Sequence, residues 1–231
     1  MNAPPGAPKV REKVKDLIVS ALDERYISHS CQDAVETGNH YQSVTLGDER
    51  TSGFRTFRAE LLDQIPFAGR KVLDLGSNLG ELSRLARERG ATLVDGHEYD
   101  PYFVEMANLI NAHNGTTRVS FHRSDITQRS LYGEHYDITL AFAVFIYVRG
   151  VMDRIAEITD ELLVLETHRL DGNLESLYLE TVLPYFPHHR VLGRTEWGTR
   201  MDAGVERAVV AFAKDPARLP APPRAGVATG G

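Results

Sequence analysis

The chain has 231 residues, of which 42% are hydrophobic and 25% charged, with a formal net charge of −6 and a pI near 5.8. This composition is typical of a folded protein with one core, and the negative charge argues against a broad surface for nucleic acid. The single cysteine, Cys31, excludes an intramolecular disulfide, and no apolar run reaches the ~20 residues of a membrane helix. Because the N-terminal residues carry no signal-peptide core, we expect a cytoplasmic protein.

Both ends are rich in proline, glycine and alanine, which predicts disordered tails over residues 1–9 and 215–231. Residues 10–66 form the lead-in to the main domain. It begins with a helical stripe of apolar residues from Val10 to Leu22 and continues through a segment rich in turn formers, which we interpret as an irregular lead-in or lid. A second helix is predicted over Arg55 to Ile65.

Strands and helices alternate regularly through residues 67–214. Five strands are predicted, in KVLDL, ATLVDGHE, TRVSFHRSD, YDITLAFAVFIYV and ELLVLETH. Asp100 and Asn114-Gly115 mark the start and end of the helix after the second strand. The last two segments, HHRVLGRTEWG and ERAVVAFAKD, predict an antiparallel hairpin. The pattern predicts an α/β fold, a Rossmann-like, doubly wound, mostly parallel sheet of about seven strands that binds ligands at the strands' carboxyl ends.

The segment KVLDLGSNLGE contains a glycine turn between the first strand and its helix. A nucleoside triphosphate loop needs Lys and Ser or Thr after its last glycine, but Glu81 follows Gly80. The turn also lacks the G-x-G-x-x-G spacing of nicotinamide sites, and Asp74 beside it would repel a pyrophosphate. An acid there favours a ligand with positive charge, such as S-adenosylmethionine, and Gly76 would let the backbone approach it closely.

Acidic residues also follow the next two strands. Glu98 is placed to accept both ribose hydroxyls, and its spacing from Asp74 is close to the ~20 residues expected between a glycine turn and a ribose-binding acid. Asp125 is placed to accept a hydrogen bond from the adenine amine while the backbone N–H of Ile126 donates one. Acids at three successive strand ends predict a site for S-adenosylmethionine.

In this order, the motifs VLDLGSNLGE, VDGHEYD, RSDIT and YDITLAFAVFIYV resemble those of class I S-adenosylmethionine-dependent methyltransferases. The resemblance runs from Lys71 to about Lys214, with Asn78 in place of the middle glycine. It implies S-adenosylmethionine as cofactor, S-adenosylhomocysteine as product, and these cofactor-binding residues: Asp74, Gly76, Ser77, Asn78, Gly80, Glu98, Tyr99, Asp125, Ile126 and Phe142. The lead-in HYQSVTLGDERTSGFR is similar to the segment before the fold in the branch that modifies the wobble uridine of tRNA.

Candidate catalytic residues follow the fourth and fifth strands. His168 is the first candidate for a general base, because an unperturbed imidazole titrates near neutrality. Glu166 lies two residues earlier on an extended segment, so it is expected to orient His168 or to contact substrate. Tyr147 is predicted to end the fourth strand, either as a substrate contact or as a core or rim aromatic. The alternative for His168 is a helix cap or a solvated side chain.

Two further groups of residues carry weaker predictions. Tyr41, Arg50 and Arg55 in the lead-in are candidates to close over the cofactor or hold an anionic substrate, although Arg55 is equally explained as a solvated helix charge. His188 and His189 point to opposite sides of a strand, so no metal site is predicted.

The sequence therefore favours a methyltransferase for a small molecule, most readily by O-methylation in specialised metabolism. The acidic balance makes nucleic acid an unlikely partner. Three alternatives stay open: a methyltransferase for tRNA or another RNA, N-methylation of a small molecule, and a cofactor-binding protein without turnover. The oligomeric state is not predicted.

Overall fold

The computed structural model describes residues 15–16, 20, 43–51, 61–167, 174–196 and 206–221. Most of the predicted first helix lies outside these ranges, as does Cys31. The helix predicted over Arg55 to Ile65 is described only from residue 61, and its helical conformation ends at Leu62. In the lead-in, strands β1 (Thr45–Leu46) and β2 (Glu49–Arg50) pair as a short antiparallel hairpin.

A seven-stranded sheet follows in the order β5-β4-β3-β6-β7-β9-β8. Its strands are β3 (Lys71–Leu75), β4 (Leu93–Glu98), β5 (Val119–Arg123), β6 (Tyr136–Phe142), β7 (Thr159–Glu166), β8 (His188–Glu196) and β9 (Glu206–Ala213). The first five of these run parallel, whereas β9 is antiparallel to both β7 and β8. The predicted mostly parallel sheet with an antiparallel terminal hairpin is confirmed.

Helices cover both faces of the sheet. They are α1 (Glu81–Glu88), α2 (Pro101–Asn114), α3 (Phe145–Val148), α4 (Met152–Ile158) and α5 (Leu174–Val182). The predicted ends of α2 are confirmed: the Asp100 carboxylate accepts a hydrogen bond from the Tyr102 N–H, and Gly115 follows in a left-handed conformation with φ 67°. No helix in the described part of the chain is both long and apolar enough to cross a membrane.

Two apolar layers enclose the sheet and fix its position. On one face, residues of α1 and α2 such as Leu82 and Ala107 pack with Val94 and Phe121. The opposite layer includes Leu75, Tyr132, Phe145, Ile155, Tyr178 and Phe212. Because β6 and β7 lie between both layers, their side chains are almost entirely buried, as expected for central parallel strands.

The fourth strand of the large sheet ends earlier than predicted. The apolar run was expected to stay extended through Val148, but β6 ends at Phe142 and a helical turn, α3, follows it. Ala143 reverses the chain with a φ of 57°, and Phe145 and Val148 are then buried from the helix. A short apolar run has the same pattern in a buried strand and in a buried helical turn, so hydrophobicity alone does not place this boundary. Tyr147 therefore lies on α3 and not at a strand end.

Candidate functional site

The parallel strands β3, β4, β5 and β6 bring their carboxyl ends to one edge of the sheet, here called the carboxyl edge. The glycine turn, residues 76–80, lies at this edge between β3 and α1. Gly76, Asn78 and Gly80 all have left-handed backbones, with φ of 73°, 51° and 78°. This run of left-handed residues turns the chain sharply from the strand into the helix.

Hydrogen bonds of the glycine turn are directed at oxygen atoms of β4. The N–H groups of Gly76 and Ser77 donate to the His97 carbonyl at 2.8 and 3.1 Å. The Asn78 N–H donates to Oε2 of Glu98 at 2.9 Å. These amides are therefore engaged by a carbonyl and a carboxylate, and do not form a free cradle for a phosphate.

Side-chain packing also requires glycine in the turn. A Cβ atom at Gly76 would lie 2.4 Å from Cγ1 of Val144, in the segment between β6 and α3. At Gly80 the added Cβ would lie 2.0 Å from Cζ of Phe121. Both distances are far inside van der Waals contact, so the turn approaches its neighbours as closely as a backbone without side chains allows.

Asp74 and Glu98 flank the turn in different environments. Asp74 is buried, and its carboxylate accepts a hydrogen bond from Ser83 Oγ at 2.5 Å, which ties β3 to the first turn of α1. Glu98 is more open; besides Asn78, it accepts from the N–H groups of Tyr99 and Asp100 at 2.7 and 3.0 Å. A carboxylate has about four acceptor positions, so Glu98 retains room for a ligand hydroxyl.

Asp125 lies just beyond β5, at the next strand end. Its carboxylate accepts hydrogen bonds from the N–H and the hydroxyl of Thr127 at 3.0 and 2.7 Å. These bonds lower the pKa of Asp125 and keep it ionised. The neighbouring Ile126 carbonyl accepts from the Tyr132 hydroxyl at 2.6 Å, and burial raises the pKa of that tyrosine, so it stays a donor. Asp125 and Ile126, the two residues predicted to contact adenine, therefore lie in a turn that is held by hydrogen bonds to Thr127 and Tyr132.

The other predicted cofactor residues divide into exposed and buried side chains. Tyr99 is 69% exposed, beside Glu98. Phe142 is buried in the core, so only its backbone reaches the carboxyl edge. Ser77 is also buried, and its hydroxyl, which has no hydrogen-bond partner among the described residues, lies 2.9 Å from where a Cβ at Gly96 would be. The Ser77 side chain therefore faces β4, and only the backbone atoms of Ser77 are available at the carboxyl edge.

The end of β7, at the same edge of the sheet, contains a buried pair of charges. Glu166 is 0% exposed at the end of β7, and its Oε2 lies 3.9 Å from Nη1 of Arg207 on β9. Next to it, Thr167 Oγ1 accepts a hydrogen bond from the Ala208 N–H at 2.9 Å. Tyr147 is 55% exposed on α3.

Three predicted residues, His168, Tyr41 and Arg55, lie outside the described part of the chain, so their proposed roles stay predictions.

The structure adds charged residues that sequence reasoning missed. Arg207 is one, and its signal was a cation directly before the apolar run AVVAFA, since a charge in a buried strand needs a partner. Glu81 and Arg84 are others, both buried in the first turns of α1. Burial raises the pKa of Glu81, and the guanidiniums of Arg84 and Arg50 oppose that shift. No group of three or more His, Cys, Asp or Glu side chains among the described residues is arranged to hold a metal ion.

Comparison with known proteins gives matches in structure only. No family model matches the chain, and no curated protein does. The bifunctional kinase-methyltransferase WbdD superposes with a TM-score of 0.62 at 17% identity, over 86% of this chain and 46% of that one. The chain thus spans about half the length of WbdD.

Two other solved structures match along nearly their whole length. One is magnesium protoporphyrin IX methyltransferase from Synechocystis PCC 6803 with bound S-adenosylmethionine, with a TM-score of 0.57 at 17% identity over 92% of this chain and 100% of that one. A candidate RNA methyltransferase from Pyrococcus horikoshii gives 0.57 at 16% identity, over 88% and 98%. At these identities, what the proteins share with this chain is the fold.

Proposed function

We propose that this chain, which has the fold of the class I S-adenosylmethionine-dependent methyltransferases, binds S-adenosylmethionine at the carboxyl edge and methylates a small molecule. The observation that carries the proposal is the hydrogen bonding of the glycine turn. Its amides are engaged by the His97 carbonyl and the Glu98 carboxylate, so the site is lined by negative charge where a phosphate-binding turn presents free N–H groups.

The charge of the edge fits a cationic nucleoside. Asp74 and Glu98 lie in the last residues of β3 and β4, Asp125 lies just beyond the adjacent parallel strand β5, and hydrogen bonds lower the pKa of Asp125. S-adenosylmethionine carries a sulfonium and an ammonium against one carboxylate, whereas a dinucleotide or a triphosphate would bring several negative charges to the same place. Coulomb attraction therefore favours the sulfonium ligand.

Each residue has an assigned task in this proposal. Glu98 would accept a hydrogen bond from a ribose hydroxyl at its remaining acceptor position, and the open Tyr99 ring would cover the adenine, which Asp125 and the backbone of Ile126 would recognise. The glycine turn would hold the methionine end of the cofactor. When bound, the cofactor supplies a methyl carbon activated by the sulfonium, so the protein has chiefly to align the acceptor and exclude water.

O-methylation needs a residue that accepts the proton of an acceptor hydroxyl, and we propose His168 for this task. Glu166 is buried beside the Arg207 guanidinium, which supports a positioning role for it over contact with substrate. The open Tyr147 ring on α3 would form part of the acceptor surface. The compact domain and net charge of −6 support a small acceptor, as in specialised metabolism.

Calorimetric titration tests the cofactor assignment. S-adenosylmethionine and S-adenosylhomocysteine should bind in a 1:1 ratio, whereas NAD and ATP should give no measurable heat. Binding of NAD or ATP in place of S-adenosylhomocysteine would overturn the proposal. Incubation with methyl-labelled S-adenosylmethionine and a library of phenols, alcohols, acids and amines then tests turnover, and mass spectrometry of the product distinguishes O- from N-methylation. Binding without transfer to any acceptor would favour a cofactor-binding protein.

RNA methylation is the second candidate, because the lead-in resembles that of the wobble-uridine branch and one structural neighbour is a candidate RNA methyltransferase. Binding to phosphates must weaken steeply with salt, since it releases counterions. A salt-sensitive mobility shift of unmodified tRNA, together with label transfer into it, would favour this function over the small-molecule one. No shift at low salt would eliminate it.

A further inference from the structure

The β1–β2 hairpin packs against the glycine turn from the lead-in. Val44 and Leu46 are 0% and 3% exposed, and they share a small apolar cluster with Leu79 of the turn and with Met106 and Ile110 of α2. This cluster is separate from the two main apolar layers. The hairpin therefore covers the one apolar side chain of residues 76–80.

Backbone and amide hydrogen bonds fix the hairpin in place. The Asn114 side chain donates to the Thr45 carbonyl at 2.7 Å and accepts from the Gly47 N–H at 2.9 Å. The Thr51 N–H donates to the Val44 carbonyl at 2.9 Å and so closes the hairpin. These contacts attach it to the end of α2 as one unit.

A chain of charged groups then connects the hairpin to the turn. Nη2 of Arg50 lies 3.3 Å from Oε1 of Glu81, and Ser43 Oγ accepts hydrogen bonds from Nε and Nη2 of Arg50 at 3.1 and 2.6 Å. On the other side of Glu81, Oε2 lies 3.5 Å from Nη2 of Arg84. That same nitrogen donates to the Leu79 carbonyl at 2.7 Å.

The Glu81 carboxylate depends on both arginines. Its side chain is 9% exposed, and burial raises its pKa, while the nearby charges of Arg84 and Arg50 act in the opposite direction. Only Glu81 is buried in this pair, since the Arg50 side chain is 42% exposed, and removing Arg50 leaves the buried carboxylate compensated by Arg84 alone. Without Arg50, Glu81 is expected to turn toward water and to release Arg84 from its present geometry.

We infer that Arg50 is a positioning residue for the cofactor site: acting through Glu81 and Arg84, it holds the glycine turn in its binding conformation. Arg50 itself does not need to touch the cofactor, and the inference rests on the function proposed above. The turn contains a left-handed Asn78 next to Leu79; Asn adopts this conformation more readily than other non-glycine residues, but at a cost that contacts around the turn offset. Glu98 contacts the turn through the Asn78 N–H, and the hairpin contacts it through Leu79.

Calorimetry with S-adenosylhomocysteine tests the inference in Arg50→Ala, Arg50→Lys and the control Arg70→Ala. Arg70 has a matched ion pair, with its Nε 3.2 Å from Glu161, but at the amino ends of the strands. If loss of Arg50 lowers the population of the binding conformation to about one tenth, affinity should fall roughly tenfold. Arg50→Lys should recover most of the lost affinity. Arg70→Ala should bind with wild-type affinity, even if its thermal unfolding midpoint falls as much as that of Arg50→Ala. Equal affinities for Arg50→Ala and Arg70→Ala would overturn the inference.

Hydrogen exchange of the unliganded protein separates this inference from the proposed function. Arg50→Ala should speed exchange in a peptide covering residues 76–80, and Arg70→Ala should leave it unchanged. If the wild type does not bind S-adenosylhomocysteine but this difference is observed, the proposed function fails while the positioning of the turn by Arg50 stands. If the wild type binds and exchange at the turn is insensitive to Arg50, the inference fails by itself.

Discussion

In the proposed donor half of the candidate site, comprising residues 74–80, 98 and 125, backbone groups set the shape of the glycine turn. The proposed acceptor half, comprising the adjoining ends of β7 and β9, contains a buried pair of charged side chains, Glu166 and Arg207. The donor half is defined by glycines with left-handed backbones and by amides that donate to a carbonyl or a carboxylate. A cofactor that many enzymes share can be bound by backbone groups, which every sequence provides. Recognition of a particular methyl acceptor needs side chains that differ between enzymes.

Substitution of Gly76 tests the donor half most severely. In Gly76→Val the new Cβ would start 2.4 Å from Val144 and adopt a φ of 73° that β-branched residues avoid. Backbone strain and displacement of the turn together are expected to lower affinity for S-adenosylhomocysteine by about 100-fold or more. Calorimetry measures the affinity, and circular dichroism checks that the variant folds.

Gly133→Val is the matched control for this change, because nothing lies within 4 Å of a Cβ at Gly133. It should bind with wild-type affinity. Normal binding by Gly76→Val would show that the turn tolerates side chains and that the backbone does not define the donor half.

In the acceptor half, the corresponding test is His168→Ala. Loss of a general base should lower kcat by about 10²–10⁴-fold, while the affinity for S-adenosylhomocysteine stays within a factor of about two. Steady-state and binding measurements on the same preparation separate these effects. An unchanged kcat would remove His168 from the catalytic residues, and a parallel loss of cofactor affinity would make the two halves one unit.

Glu98→Ala removes the side chain that accepts from Asn78, Tyr99 and Asp100. Three backbone donors lose their partner along with the proposed ribose contact, so the binding free energy should weaken by roughly 1–3 kcal/mol, or about 5- to 160-fold in affinity. Glu134→Ala is the control, since Glu134 is an exposed residue paired with Lys71. Wild-type affinity in Glu98→Ala would place the ribose elsewhere.

The donor half was largely predictable because its signals are local. A glycine turn after an apolar strand, an acid at the next strand end and the Asp100 cap each depend on a few neighbouring residues, and the structure places them together at the carboxyl edge. The buried Ser77 hydroxyl was not predictable, because its direction depends on Gly96 in the neighbouring strand.

Features that depend on distant residues were missed. Arg207 follows Glu166 by about forty residues and meets it only because β9 pairs antiparallel with β7. Arg50 likewise reaches Glu81 only through the packing of the hairpin. The predicted end of β6 was wrong because Phe145 can be buried from a helical turn as well as from a strand. Periodicity reports burial along one segment and carries no information about which segment covers it.

The smallest expected effect is a sensitivity to acid in the donor half. Burial and, to a smaller extent, the neighbouring His122 lower the pKa of His97 from 6.5 to about 4, while Asp95 acts in the opposite direction. The ring is therefore neutral in the fold, with Nδ1 2.8 Å from Ser124 Oγ. Between pH 6.5 and 4 the unfolded chain binds a proton that the folded chain does not, so the free energy of unfolding should fall as the pH drops through this window.

Urea unfolding at pH 7 and pH 5 measures this dependence. Partial exposure of the ring reduces the contribution to about 1–2 kcal/mol, which His97→Asn should abolish because an amide does not titrate. His135→Asn is the control: His135 is an exposed residue beside Asp160, away from the carboxyl edge, and its loss should leave the acid sensitivity intact. Since the His97 carbonyl accepts from both Gly76 and Ser77, acid should also raise hydrogen exchange at the turn before it does so along β7. An equal increase in exchange at the glycine turn and along β7 would mean that acid destabilises the whole sheet, and that the glycine turn is not more sensitive to acid than the rest.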